Sequence, residues 1–268
     1  MKIKKYFKGL WRVLRLPEML ILPGNLAFYL ILSLIPIISL IGIITSSMNL
    51  SASGVVDYLS GVLPVEVAEI FASLFNRDMG TTSIIFFIVG FYMASNGPDS
   101  LITASNILYK KENNNYIFRK VKALFMTFFI IFLFIFILIV LAFGSFILTK
   151  ILNFGVIGRF IASNYAIITI FKFLLAFVFI FITIKIIYTM SSKVKSKYVN
   201  VGALFATVSI ILVTTIYSFY VTNIAHYDII YGSLSSIAIL MFLIYFISYI
   251  LVLGIAINNQ YYKIENNE

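Results

Sequence analysis

Cysteine is absent from the 268 residues, and histidine and tryptophan occur once each. Without cysteine there is neither a disulfide framework nor a thiolate metal site. The lone His226 stands beside Tyr227 and Asp228 in a polar segment, a setting for surface hydrogen bonding. A hydrolytic metal centre needs several His or carboxylate ligands converging on one point. The acids are too scattered for that: Asp57, Glu66, Glu69, Asp78 and Asp228 in two polar connections, and Glu18, Glu112, Glu265 and Glu268 in the basic segments. No glycine-rich loop ends in Lys-Ser or Lys-Thr, which excludes a P-loop ATPase. Serines and lysines are present, but no spacing pairs one with another. No metal or other cofactor is implied, and the chain does not read as an enzyme.

Charge is scarce as well. Charged residues make up 11% of the chain and hydrophobic ones 62%, with a mean hydropathy of +1.05. A soluble domain keeps about a quarter of its residues charged, so the solvent here is mostly lipid. A membrane span needs ~20 predominantly apolar residues, and six runs qualify: about 23–48, 82–108, 123–148, 165–190, 200–222 and 234–257. The expected fold is all-α, a polytopic membrane protein with six transmembrane helices and no separate soluble domain. The first run is too long for a signal-peptide core and lacks a small-residue cleavage site, so it is read as retained.

The net charge of +10 is distributed by side rather than along a stripe. Lys2, Lys4, Lys5, Lys8, Arg12 and Arg15 precede the first run; Lys110, Lys111, Arg119, Lys120 and Lys122 separate the second from the third. Lys193, Lys195 and Lys197 separate the fourth from the fifth, and Lys263 follows the last. These fifteen face Arg77, Lys150 and Arg159 on the other side. The positive-inside rule then puts both termini in the cytoplasm. Anionic lipid headgroups are the expected partners at that face, at about 1 kcal/mol per basic residue near the surface. Nucleic acid is not.

Residues 1–22 read as an amphipathic cytoplasmic helix on the membrane surface, with Tyr6, Leu10, Trp11 and Leu14 at helical spacing among basic residues. Pro17 ends or bends it. The external segment 49–81 carries a short helix after Pro64, with Val67, Ile70, Phe71 and Leu74 on one face. It is either a lid over a cavity or a solvated loop helix. The third run is almost uniformly Phe, Ile and Leu and is expected to face lipid broadly; residues 258–268 form a cytoplasmic tail.

The first and second spans are unusual. Pro23-Gly24 stands at the mouth of the first, where a helix starts on proline without losing a bond. Pro36 lies inside it and is expected to kink or break it. Asn25, Tyr29 and Ser33, four apart, share a helix face. The second span is expected to break at Asn96-Gly97-Pro98-Asp99, with Asn106 two turns on. Asp99 is the one carboxylate within a span, and its depth matches Lys185 better than Lys172 in the fourth span. Asp99 with Lys185 is thus the expected ion pair, leaving Lys172 for a ligand. Gly202, Ala203, Ala206 and Thr207 make a small-residue ridge suited to close helix packing.

Several of these pieces resemble the YihY/BrkB family of bacterial inner-membrane proteins, formerly labelled ribonuclease BN. They are Gly24-Asn25-Leu26-Ala27-Phe28-Tyr29, Leu32-Ser33-Leu34-Ile35-Pro36, Asp99-Ser100, Asn106-Ile107-Leu108-Tyr109 and Val201-Gly202-Ala203. Tyr220-Val221-Thr222, Ile230-Tyr231-Gly232-Ser233-Leu234 and Leu253-Gly254 complete the set, in family order. The resemblance implies six spans in the cytoplasmic membrane and a role in the envelope. One departure stands out: where relatives often show Gly-Ala-Glu at the end of the last span, Gly254 is followed by Ile255-Ala256. A proton-coupled mechanism through that glutamate is therefore not expected here.

Two readings follow. In the first, the protein transports or flips a lipid or amphipathic anion. Asn25, Tyr29, Ser33, Pro36, Asp99, Asn106, Lys172 and Lys185 then line a polar interior, and Tyr227, Tyr231 and Gly232 the external mouth. In the second it is a non-transporting scaffold for envelope machinery, with its polar residues satisfied helix to helix. The ribonuclease label finds no metal ligands to support it.

Overall fold

The computed structural model describes residues 9, 11–15, 17–47, 83–111, 115–142, 165–192, 194–223 and 233–266. Every regular element among them is helical: α1 (Glu18–Ser47), α2 (Ser83–Ala94), α3 (Asn96–Leu108), α4 (Tyr116–Ala142), α5 (Tyr165–Ser192), α6 (Asn200–Asn223) and α7 (Ser233–Glu265), with a 3₁₀ turn at Ser196–Tyr198. Three described segments are long and apolar enough to cross a membrane: Phe173–Ser192, Asn200–Val221 and Ile237–Glu265. The expected external helix after Pro64, His226 and the mouth residues Tyr227, Tyr231 and Gly232 lie outside the described residues.

The first span is not broken. α1 runs through Pro23 and Pro36 as one helix of 30 residues and begins at Glu18, so Pro23 is inside it rather than at its mouth. Each proline removes one donor, but the rest of the ladder survives, as it commonly does where neighbouring helices support a membrane helix. Pro17 sets the start instead, its carbonyl accepting from the Leu20 N–H at 3.0 Å.

The second span is interrupted, but gently and at Ser95. That residue keeps right-handed torsions (φ −68, ψ −10). Its N–H reaches Phe91 O at 3.1 Å and its carbonyl accepts from Asp99 N–H at 3.0 Å. Pro98 has no N–H to offer the Ala94 carbonyl, and the ladder lapses there. Ser95 Oγ donates to Tyr92 O at 2.6 Å, which steadies the hitch. Gly97 lets α1 approach: a Cβ there would stand 2.9 Å from Leu30 Cδ2.

α3 is the hub, packing against α1, α4, α5 and α7 as well as α2. It ends in a Schellman motif: Lys111 N–H reaches back to Asn106 O at 2.9 Å and Lys110 N–H to Ile107 O at 3.0 Å. The left-handed position is held by Lys110 (φ 52) rather than by glycine. Lys110→Gly should therefore raise stability by about 1 kcal/mol, read as a higher melting temperature in detergent.

α4 does not turn every face to lipid. Ala123, Met126, Thr127 and Ile131 form a buried stripe, while Phe125, Phe128 and Phe132 stay exposed. Phe136 stacks on Phe179 of α5 with ring centroids 3.8 Å apart.

The small-residue ridge does what its spacing suggests. Ala203, Ala206 and Thr207 are wholly buried, and a Cβ on Gly202 would collide with the Gly254 carbonyl of α7. On the far side of Gly254, a Cβ would collide with the Tyr188 hydroxyl of α5, which donates to Leu251 O at 2.8 Å. One glycine pair thus seats three helices.

The expected tail begins as the last turns of α7, which continues to Glu265 with its polar end engaged. Asn258 Oδ1 accepts from Gly202 N–H at 2.7 Å, and Asn259 Nδ2 donates to Leu108 O at 2.7 Å, capping α3. The N-terminal segment is tied to the same end. Val13 is buried in the core, and Gly9 lies so close to Gln260 that a Cβ would collide with it. Trp11 stays exposed with the Arg15 guanidinium 4.9 Å over its ring.

Candidate functional site: a charged crossing on α3

α3 is short and polar, yet buried along most of its length: Gly97, Pro98, Ser100, Leu101, Ile102, Ala104, Ser105, Asn106 and Leu108 are all inaccessible. A helix of this composition in the middle of an apolar bundle has to find partners for its polar groups. It finds them mainly on α1 and α4. Asn25 Nδ2 donates to Ser100 Oγ at 3.0 Å, joining α1 to α3. Arg119 Nε donates to Asp99 Oδ1 at 2.7 Å, joining α4 to α3. One residue on, Lys120 Nζ donates to Asn96 Oδ1 at 2.7 Å and sits 4.2 Å over the Tyr92 ring. Tyr92 and Tyr116 close the cluster with hydroxyls 3.2 Å apart, and the Arg119 guanidinium lies 5.6 Å over the Tyr116 ring.

The ion pair corrects the sequence expectation, since Asp99 meets Arg119 and not Lys185. Matching depths along two spans ignored the connection between them. α4 packs along α3 from its first turn, and the long Arg119 side chain covers the remaining distance to Asp99.

The electrostatics are uneven. Asp99 and Arg119 are 17% and 18% exposed as side chains. Lys120 is 7% exposed and has only a neutral amide and a ring as direct partners among the described residues. It lies just before the apolar run that starts at 123, and burial pulls its pKa below the ordinary lysine value. The Tyr92 hydroxyl raises the pKa of Tyr116.

The other expected residues fall as follows. Asn25 is exposed, Tyr29 half-buried and Ser33 wholly buried, so the row of three passes from the surface to the interior. Ser33 Oγ is spent on Leu30 O at 2.8 Å. Asn106 is buried within the Schellman turn. Lys185 is half-buried on α5, its carbonyl accepting from Thr189 Oγ1 at 2.7 Å. Lys172 is in α5 and Pro36 in α1, but their side chains lie outside the described set. The crossing therefore gathers Asn25 and Asp99 and leaves Lys185 apart.

Sequence reasoning missed Arg119, Lys120, Tyr92 and Tyr116. Along the sequence the two cations read only as topology signals. Their signal was there: with Tyr116 they place an aromatic and two charges in one helical turn, shortly after the carboxylate of the second span.

A family model described as Virulence factor BrkB matches residues 12–268. The chain is also similar to the Bacillus subtilis (strain 168) protein named "Putative ribonuclease-like protein YfkH", at 28% identity over 246 residues, 90% of this chain and 89% of that protein. No solved structure matches. The short motifs that carried the resemblance include Asn25 and Asp99-Ser100 of the α1–α3 contact and the Gly202–Gly254 seat. Because the match runs unbroken through all of them, this chain belongs to the BrkB family.

Proposed function

We propose that the protein is a six-span protein of the cytoplasmic membrane, with both termini in the cytoplasm, that moves a lipid or amphipathic anion for the cell envelope. The observation behind this reading is the ionisable crossing on a buried helix: Asp99, Arg119 and Lys120 around α3. Apolar packing would hold α3 and α4 together as well or better, because desolvation offsets most of what a buried ion pair gains. Ionisable groups in a membrane bundle more often mark a pathway. Ser105 adds to this, since its buried hydroxyl has no partner among the described residues. Lys172 and Lys185 are assigned to drawing a phosphate headgroup, and Tyr227, Tyr231 and Gly232 to the external mouth.

The relative's printed name contains "ribonuclease-like". For this chain, one histidine, no cysteine and dispersed acids leave that chemistry without donors, and neither a nucleic-acid partner nor a cofactor belongs to the proposal.

The scaffold reading has one observation in its favour. Asn25, Asn96, Asp99, Asn258 and Asn259 are each matched to a group on another helix or at its end. Lipid scrambling separates the two. Purified protein in liposomes carrying fluorescent anionic or zwitterionic lipids should expose inner-leaflet label to a membrane-impermeant quencher faster than protein-free vesicles do. A rate equal to that of empty vesicles for every lipid would favour the scaffold.

A further inference from the structure

The crossing contains two cations and one carboxylate among its described residues, and the surplus charge is largely withdrawn from water. Lys120 is 7% exposed, and Arg119 spends only Nε on Asp99. Burying an uncompensated unit charge is costly unless an anion completes it. The surroundings say what kind of anion would fit. Tyr92 and Tyr116, 48% and 55% exposed, hold their rings against the two cations with their hydroxyls 3.2 Å apart, and α4 leaves Phe118 and Phe125 exposed on a different face. Charge-assisted donors and tyrosine hydroxyls on a helix whose outer face is apolar match a phosphate bearing acyl chains.

We propose that Arg119 and Lys120, braced by Asp99 and Asn96 and rimmed by Tyr92 and Tyr116, form a seat for the phosphate headgroup of a net-anionic phospholipid. The seat rests on the membrane reading above and gives the transported or bound lipid a defined docking point. It requires only that the basic end of α4 meets the bilayer, so it stands or falls separately from transport.

The test is native mass spectrometry of the full chain in detergent, titrated with phosphatidylglycerol, with phosphatidylcholine and with inorganic phosphate. Wild type is expected to bind phosphatidylglycerol in preference to phosphatidylcholine. Lys120→Met and Arg119→Gln should each weaken it roughly tenfold or more, the loss of a charge-assisted contact. Lys195→Gln, an exposed lysine of the same end, should leave it unchanged. Melting temperatures of all four proteins separate loss of the seat from loss of the fold. Equal binding of both lipids, or unchanged binding by folded Lys120→Met and Arg119→Gln, overturns the proposal. So does displacement of phosphatidylglycerol by inorganic phosphate at equal concentration, because the free ion would then be the ligand. Seating without scrambling would sink the transport reading and leave the seat, and scrambling without seating would do the reverse.

Discussion

Gly254→Val is expected to lower the stability of the bundle by about 2–4 kcal/mol, read as thermal unfolding in detergent. The added branches meet two obstacles at once: the Tyr188 hydroxyl on one side and the Gly202 carbonyl, 3.0 Å from the new Cβ, on the other. Overpacking of this kind costs about 1–3 kcal/mol. Moving Tyr188 also endangers its bond to the Leu251 carbonyl, and interhelical hydrogen bonds in membranes average about 0.6 kcal/mol. Gly202→Ala should act in the same direction, because its Cβ runs into backbone that cannot swing aside and disturbs Asn258. Gly24→Ala supplies the contrast. A Cβ at Gly24 meets nothing within 4 Å, and alanine suits a helix better, so its melting temperature should hold or rise. Equal losses at Gly24 and Gly254 would mean that the α5–α6–α7 seat has been misassigned.

The second large effect belongs to Asp99. Asp99→Ala leaves Arg119 and Lys120 side by side with no described carboxylate between them. Breaking a fully buried pair costs about 3–5 kcal/mol. With side chains 17% and 18% exposed, solvent screening brings the expected loss to about 2–4 kcal/mol. Lys120 contributes, because the same substitution removes a charge that favours its protonated form. Arg119→Gln should cost less than Asp99→Ala, since it removes one of two like charges while Asp99 keeps a cation nearby. Reversing that order would show that Lys120 is neutralised by some other group. A single Asp99 substitution is thus a stability experiment first, and loss of function in it alone says little about transport.

How much of this was legible in sequence differs from element to element. The helices and their apolar runs follow from periodicity and composition, and the packing role of Gly202 follows from small residues at four-residue spacing. Pro36 shows the limit of local rules: a proline predicts the loss of one bond, but whether the helix yields depends on neighbours that one strand of sequence does not reveal. Asp99 shows another. Its place within a span was readable, whereas its partner depended on how α4 packs along α3, a tertiary fact. Asn258 and Asn259 fall at the start of the stretch that the sequence marks as a tail. Only the neighbouring Gly202 N–H and Leu108 carbonyl turn them into buried clasps. Lys110 was hidden because the left-handed cap it fills ordinarily announces itself with glycine.

Whether the crossing serves passage or only holds helices together is decided by one comparison. Asp99→Asn/Arg119→Gln removes both charges while keeping shape and hydrogen-bonding capacity, so neither partner is left as an unmatched ion. Lipid scrambling by this double variant in liposomes, beside wild type and with melting temperatures in hand, separates folding from function. A folded, inserted double variant that no longer scrambles, against a wild type that does, is the result predicted for a pathway at α3. Scrambling at the wild-type rate by the double variant would contradict it and return the Asp99–Arg119 pair to a structural role.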